Sequence, residues 1–210
     1  MNRNSVLRRP FKFKYFNATL YLIAANVVIF ALQYIWPLST YVLALNPAAV
    51  ASGWVWQLFS YMFAHANLTH LIVNMLGLYF FGRPVEHSLG SYEFLLYYLG
   101  SGLFAGIASF AIYLLSGAWN TYLLGASGAV FSLLLAFAVL YPRAMVYVYG
   151  IIPLRAPVMV IGYTLIEILS SFLGAASSVA HLTHLAGFAA GAVYFPIRLG
   201  VNPFKRLSDR

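Results

Sequence analysis

No cysteine occurs in the chain, which excludes disulfides, thiolate catalysis and cysteine-held metal centres. Charge is scarce as well: 8 % of the residues are charged and 62 % hydrophobic, against about a quarter charged and roughly half apolar in an ordinary soluble domain. That composition belongs to an integral membrane protein. Internal repeats, low-complexity tracts and true linkers are also missing. A length of 210 residues accommodates one bundle of spans of about 20 residues each, with little left for a separate soluble domain.

The net charge of +8 would suggest nucleic acid as a partner in a soluble protein, but its placement points to the lipid bilayer instead. All twelve Lys and Arg fall into four patches: Arg3 to Lys14, Arg83, Arg143 with Arg155, and Arg198 to Arg210. Each patch flanks an apolar run, so the positive-inside rule assigns all four to the cytoplasm. The N-terminal one reads as a topology signal with affinity for anionic lipid. Six apolar runs are visible: Ala18 to Trp36, Leu68 to Phe81, Phe94 to Leu115, Leu123 to Tyr141, Ala156 to Leu173 and His181 to Ile197. The first exceeds the ~7–15 apolar residues of a signal peptide, so it reads as an anchor. The chain thus divides into a basic N-terminal segment (1–17), a six-span domain (18–197) and a basic tail (198–210), with both termini cytoplasmic. The loops 37–67, 116–122 and 174–180, which lack Lys and Arg, fall outside. The first is the one long connection, and its Trp54, Trp56, Phe59, Tyr61 and Phe63 suit a segment lying in the membrane interface.

Spans two, four and six begin on the outer side, and each carries polar residues in its first turns: His70 and Asn74, Ser127, and His184. Hydroxyl and imidazole groups at membrane depth are costly unless something uses or satisfies them. His70 and Asn74 are four apart and share a helix face. From Ser127 to Tyr141 there is about 22 Å of helix at ~1.5 Å per residue, less than the hydrocarbon thickness of about 30 Å. The glycine-rich segment before Ser127 is therefore expected to dip into the membrane, where non-helical backbone needs burial in protein or a water-filled cavity. His184, Gly187 and Gly191 recur at spacings of three and four, which puts the imidazole on a small-residue face suited to close helix contact. If the partner is span four, with Gly125, Gly128 and Ala129 at its start, His184 comes within reach of Ser127. A serine in hydrogen-bond contact with an imidazole is a nucleophile with its base. The amides at the start of span four, with His70 and Asn74, supply donors for an oxyanion.

At these residues the chain resembles the rhomboid family of intramembrane serine proteases. The resemblance is carried by Gly-x-Ser-Gly at Gly125 to Gly128, His-x-x-Gly-x-x-x-Gly at His184 to Gly191 and His-x-x-x-Asn at His70 to Asn74. The long first outer loop and Gly82-Arg83-Pro84-Val85-Glu86 add to it. It implies an all-α, six-transmembrane-helix bundle with a Ser127–His184 dyad and no catalytic aspartate, the sole aspartate being Asp209. It also implies an oxyanion hole from the Ser127 amide, His70 and Asn74, and an aromatic Phe131 packed on the imidazole. Other membrane proteins would be the substrates, cut within their transmembrane segments near the outer surface through an acyl-enzyme, with lateral access beside span five and no cofactor. The chain resembles the compact bacterial plasma-membrane members. Two positions depart from the family pattern: Gln57 follows Trp56 where an arginine is usual, and Thr183 precedes His184 where a small apolar residue is usual.

Other readings compete at several residues. A relative that binds clients without cutting them would have lost Ser127 or His184, and both are present. A transporter with a broken helix would show an inverted repeat. Four outer-side histidines, His65, His70, His181 and His184, are a conceivable metal set, but the HExxH pattern is absent and no metal is expected. His181 is read as lying one turn above the base at a cavity rim, and His65 as bracing the first loop by hydrogen bonds. Glu167, beyond the middle of span five, is read as a protonated carboxyl bonded to another helix, with orientation of a histidine as the alternative. Glu86 is expected to cap or brace a turn at the membrane edge. The short outer loop from Gly174 to Ala180 suits a mobile cap.

Overall fold

The computed structural model describes residues 9–148, 150–172 and 178–208. Helix α1 (Ala18–Ile35) opens the bundle. The segment after it folds into three short helices, α2 (Ser39–Leu43), α3 (Pro47–Ala51) and α4 (Gln57–Ser60), closed by a tight turn at Tyr61–Phe63. Helix α5 (Leu68–Gly77) starts where the Asn67 side chain accepts from the His70 amide at 2.8 Å, an N-cap that satisfies one of the free amides of the first turn. It widens through a π turn at Leu78–Gly82 into α6 (Arg83–Leu89). Helix α7 (Ser91–Ser116) ends at Gly117 in the left-handed conformation. Helices α8 (Ser127–Leu140), α9 (Ala156–Phe172), α10 (Ser178–Tyr194) and α11 (Pro203–Ser208) complete the chain.

Helix α8 is buried along most of its length, from Gly128 to Val139, and forms the axis of the bundle. Around it α10 packs against α7, α8 and α9. Large apolar side chains also cover the outside: Val27, Val28 and Leu32 on α1 and Ile161, Leu165 and Leu169 on α9 are all exposed. Such a wall is unfavourable in water and natural against lipid. Among the described residues α1 and α7 are long and apolar enough to cross a membrane, while α8 and α9 are apolar but shorter.

The expectation of an all-α chain needs a correction. Between α8 and α9 an antiparallel hairpin forms from β1 (Met145–Val148) and β2 (Ile152–Arg155), with Met145 opposite Arg155. Val146, Tyr147 and Val148 favour extended backbone, but between two apolar spans their hydrophobicity merges with the flanking runs. Residues 174–177 of the expected cap lie outside the described residues, and 178–180 belong to α10.

Glu86 is fully buried and ties three elements together. Its carboxylate accepts from the Ala18 and Thr19 amides at 2.6 and 2.9 Å, from the Thr19 hydroxyl at 2.7 Å and from the Ser91 hydroxyl. It therefore caps α1 from a distant part of the sequence, where the negative charge also suits the positive end of the helix dipole. Burial raises this carboxyl, but the bonds from Ser91, Thr19 and Ala18 outweigh that and hold it below the usual carboxylate range. Glu93, which the sequence reading passed over, does similar work at the start of α7. It takes the Arg198 guanidinium on both oxygens, at 2.7 and 3.1 Å, and also the Phe11 amide and the Tyr194 hydroxyl.

Candidate active site

Close approach of α8 and α10 sets the site. A Cβ added at Gly187 would sit 2.0 Å from the Gly128 carbonyl oxygen, and one at Gly191 would sit 3.2 Å from Leu135 and 2.4 Å from the Tyr97 hydroxyl. Only hydrogen at these positions lets the two backbones touch. At this crossing His184 Nε2 lies 2.8 Å from Ser127 Oγ. Ser127 is the first residue of α8, where backbone amides have no intrahelical carbonyl to bond. The turn before it depends on Gly125, whose φ of +113° is unfavourable for a side chain. A Cβ there would also collide with the His70 ring at 2.6 Å and lie 3.8 Å from the Asn74 amide nitrogen. His70 and Asn74 thus face the backbone just ahead of Ser127.

Phe131, one turn along α8, lies face to face with His184, with ring centroids 4.1 Å apart and planes 6° from parallel. Tyr163 and Phe188 meet Phe131 edge-on and hold it there. On its far side His184 turns Nδ1 toward Glu167 of α9, 3.0 Å from Oε1, without the alignment of a well-formed hydrogen bond. The other oxygen, Oε2, is 2.5 Å from His181 Nδ1. Glu167 thus reaches another helix, and its partners there are two histidines, one of them beside Ser127. His181, His184 and Glu167 bring donor atoms within 4.8 Å of one another, so the set has the composition, two histidines and a carboxylate, of some zinc centres.

His70 is oriented by its surroundings. The Ala66 amide approaches its Nδ1 at 3.5 Å, a long contact that favours a proton on Nε2, the atom facing Gly125. Asn74 donates to the His70 carbonyl at 2.9 Å. His65 corrects an expectation. Its backbone, not its ring, exchanges bonds with Gln33, at 3.0 and 3.3 Å, while the ring stands edge-on to His70 at 5.2 Å with neither nitrogen hydrogen-bonded. Burial, aided by His70, pushes this imidazole down to about 4, against a weaker opposite pull from the nearby Phe63 carbonyl.

Residues 52–200 match the family model of the Rhomboid domain. The chain belongs to the rhomboid family. Family membership implies an integral membrane protein. RHOMBOID-like protein 12, mitochondrial, of Arabidopsis thaliana is 33 % identical over 150 residues, covering 62 % of this chain and 43 % of its own length. Putative rhomboid protease YdcA of Bacillus subtilis (strain 168) is 32 % identical over 127 residues, covering 60 % and 59 %. Rhomboid protease GluP of the same organism is 35 % identical over 142 residues, covering 63 % and 25 %. The chain spans about half the length of the first two relatives.

Both departures from the rhomboid pattern have structural accounts. Gln57 is fully buried; its Oε1 accepts from the Asn46 amide at 3.0 Å and its Nε2 donates to the Tyr41 carbonyl at 2.9 Å. A neutral amide thus organises the first loop of this rhomboid. Asn46 extends the link by donating to the Trp119 and Thr121 carbonyls, and Leu45 pairs with Leu123 through two 2.9 Å backbone bonds. The segment leading to Ser127 is therefore held and covered by that loop. Thr183 is buried and bonds to the Ser109 hydroxyl of α7 at 2.6 Å, so its polarity is satisfied beside Gly128.

Proposed function

We propose that this rhomboid is an intramembrane serine endopeptidase that cuts transmembrane segments of other membrane proteins near the outer face. The observation that carries the reading is the 2.8 Å contact between Ser127 Oγ and His184 Nε2, a nucleophile with its base in reach. Ser127 Oγ attacks the scissile carbonyl and its proton passes to His184 Nε2. The oxyanion is received by the Ser127 amide with His70 Nε2–H and Asn74 Nδ2–H, donors whose preorganisation stabilises charge as it develops. The C–N bond then breaks, the imidazolium gives its proton to the leaving amine, and water releases the acyl group from Ser127 by the same steps. Gly128, Gly187 and Gly191 support the site by permitting the approach of α8 to α10, Gly125 by allowing the turn before Ser127 beside His70, and Phe131 by stacking on the base. The reading uses no metal or other cofactor.

The same reading places six spans across the bilayer: α1, α5 with its continuation, α7, α8, α9 and α10. Residues 1–17 and 198–210 then flank the 18–197 domain on the cytoplasmic side, and the site opens outward. The four basic patches and the apolar outer wall support this orientation. The short α8, preceded by backbone that protein covers, fits a helix starting below the outer surface. A bacterial plasma membrane suits a chain of this type.

Cleavage of a transmembrane reporter in liposomes by wild type, Ser127→Ala and His184→Ala, with and without a chelator, tests the proposal. Chelator-insensitive cleavage lost in both variants is the expected result. Cleavage surviving Ser127→Ala would remove the nucleophile from the account.

A further inference from the structure

We infer that Glu167 is a positioning residue for the base: a carboxylate on α9 that orients His184 toward Ser127 and is itself held by His181. The inference rests on the reading of Ser127 and His184 as nucleophile and base.

Packing alone does not explain where Glu167 sits. The other buried residues of α9 are Ala156, Pro157, Met159 and Val160, near its start, and further along Leu165, Ile166 and Leu169 are exposed. Glu167 is the one residue described beyond Val160 on this helix that is buried. Withdrawing a carboxylate from water costs several kcal/mol unless partners replace the lost hydration, so an apolar side chain would serve a packing role better. Its partners here are two imidazoles on one face of α10, three residues apart, each against a different oxygen.

Proton positions give the contact its use. With a proton on His184 Nδ1, facing Glu167 Oε1, the lone pair of Nε2 points at the Ser127 hydroxyl; the other tautomer would point N–H at it and could not accept the proton. Glu167 Oε1, 3.0 Å away, is the carboxylate oxygen that meets His184 Nδ1. During attack the Ser127 proton comes to Nε2, and the carboxylate stabilises the resulting imidazolium without taking a proton itself. The 2.5 Å contact to His181 fixes the carboxylate from its other oxygen, with the two imidazole planes 86° apart.

The same donors raise the alternative of a metal ion. Tetrahedral zinc with bonds of ~2.0–2.1 Å would separate two ligand atoms by about 3.3 Å. A bound ion would therefore require the 2.5 Å contact between His181 Nδ1 and Glu167 Oε2 to open, and treatment with a chelator and then zinc separates the two cases.

Reporter cleavage in liposomes, fluorophosphonate labelling of Ser127 and thermal unfolding would be compared for wild type, Ser127→Ala, Glu167→Gln, Glu167→Asp and His181→Asn. We expect Glu167→Gln to lower kcat and the labelling rate by roughly 10- to 100-fold, less than the loss of a general base, with KM and unfolding temperature close to wild type. Glu167→Asp should recover most of the rate, and His181→Asn should lose less than Glu167→Gln. A Glu167→Gln variant that cleaves and labels at the wild-type rate overturns the inference. So does one whose unfolding temperature falls in proportion to activity without rescue by Glu167→Asp, and so does wild-type activity that a chelator removes and zinc restores. Survival of cleavage in Ser127→Ala would instead bring down the underlying assignment of nucleophile, a distinct result.

Discussion

The face-to-face stack of Phe131 on His184 means that the imidazole loses contact if it rotates away from Ser127. Aromatic pairs of this kind are worth about 0.5–1.5 kcal/mol, so Phe131→Leu should lower kcat by up to about tenfold while Phe131→Tyr stays near wild type; equal rates in all three would show that the stack does not hold the base. A second residue-scale prediction concerns His65. Its folded value of about 4 lies below its ordinary 6.5, so between those values the unfolded chain binds more protons than the folded one. Stability should therefore fall as pH drops from about 6.5 and level off below about 4. His65→Phe should unfold with a shallower pH dependence over that window, and an unchanged slope would contradict the assignment. Ser127, His184, His70 and Asn74 were legible in the sequence because their spacings put them on identifiable helix faces. For Glu167 the sequence offers orientation of a histidine only as an alternative, because its proximity to His184 depends on how α9 is rotated against α10, which no local pattern records. Gln57 likewise reads in sequence as a lost arginine, because its three side-chain bonds, to the Asn46 amide and the Tyr41 and Val42 carbonyls, exist only in the folded first loop.

At the scale of elements, the crossing of α8 and α10 should tolerate no side chain at Gly187, where the obstacle is the Gly128 backbone. Gly187→Ala should destabilise by about 1–3 kcal/mol and abolish labelling of Ser127, whereas Gly100→Ala, with nothing within 4 Å of the added atom, should be neutral or stabilising by up to about 1 kcal/mol. Unfolding temperatures of the pair decide it, and equal effects would contradict the crossing geometry. The start of α1 depends on Glu86 in the same way. Glu86→Gln should lower stability by roughly 1–3 kcal/mol. In the wild type the contribution of this low-lying carboxyl is present above its unfolded value and is lost as pH falls through its folded one. The helices α1 and α9 start at the residues their apolar runs indicated, since charge and proline mark those edges well. The β1–β2 hairpin escaped notice because two flanking apolar segments masked its short extended pattern.

For the whole molecule, large apolar side chains cover the outside as well as filling the core, and the proposed orientation rests on charge placement. The natural absence of cysteine makes a clean test available: single cysteines at Ser52 and Trp119 should react with an impermeant maleimide from outside, and one at Arg206 only from inside. Reaction of all three from one side would overturn the proposed topology. The central claim, a serine activated by His184 within that bundle, is met most directly by mass-spectrometric mapping of a fluorophosphonate adduct in the membrane-embedded protein. The account predicts a single adduct on Ser127 that is absent in His184→Ala. An adduct on another residue, or undiminished labelling of Ser127 without His184, would contradict it.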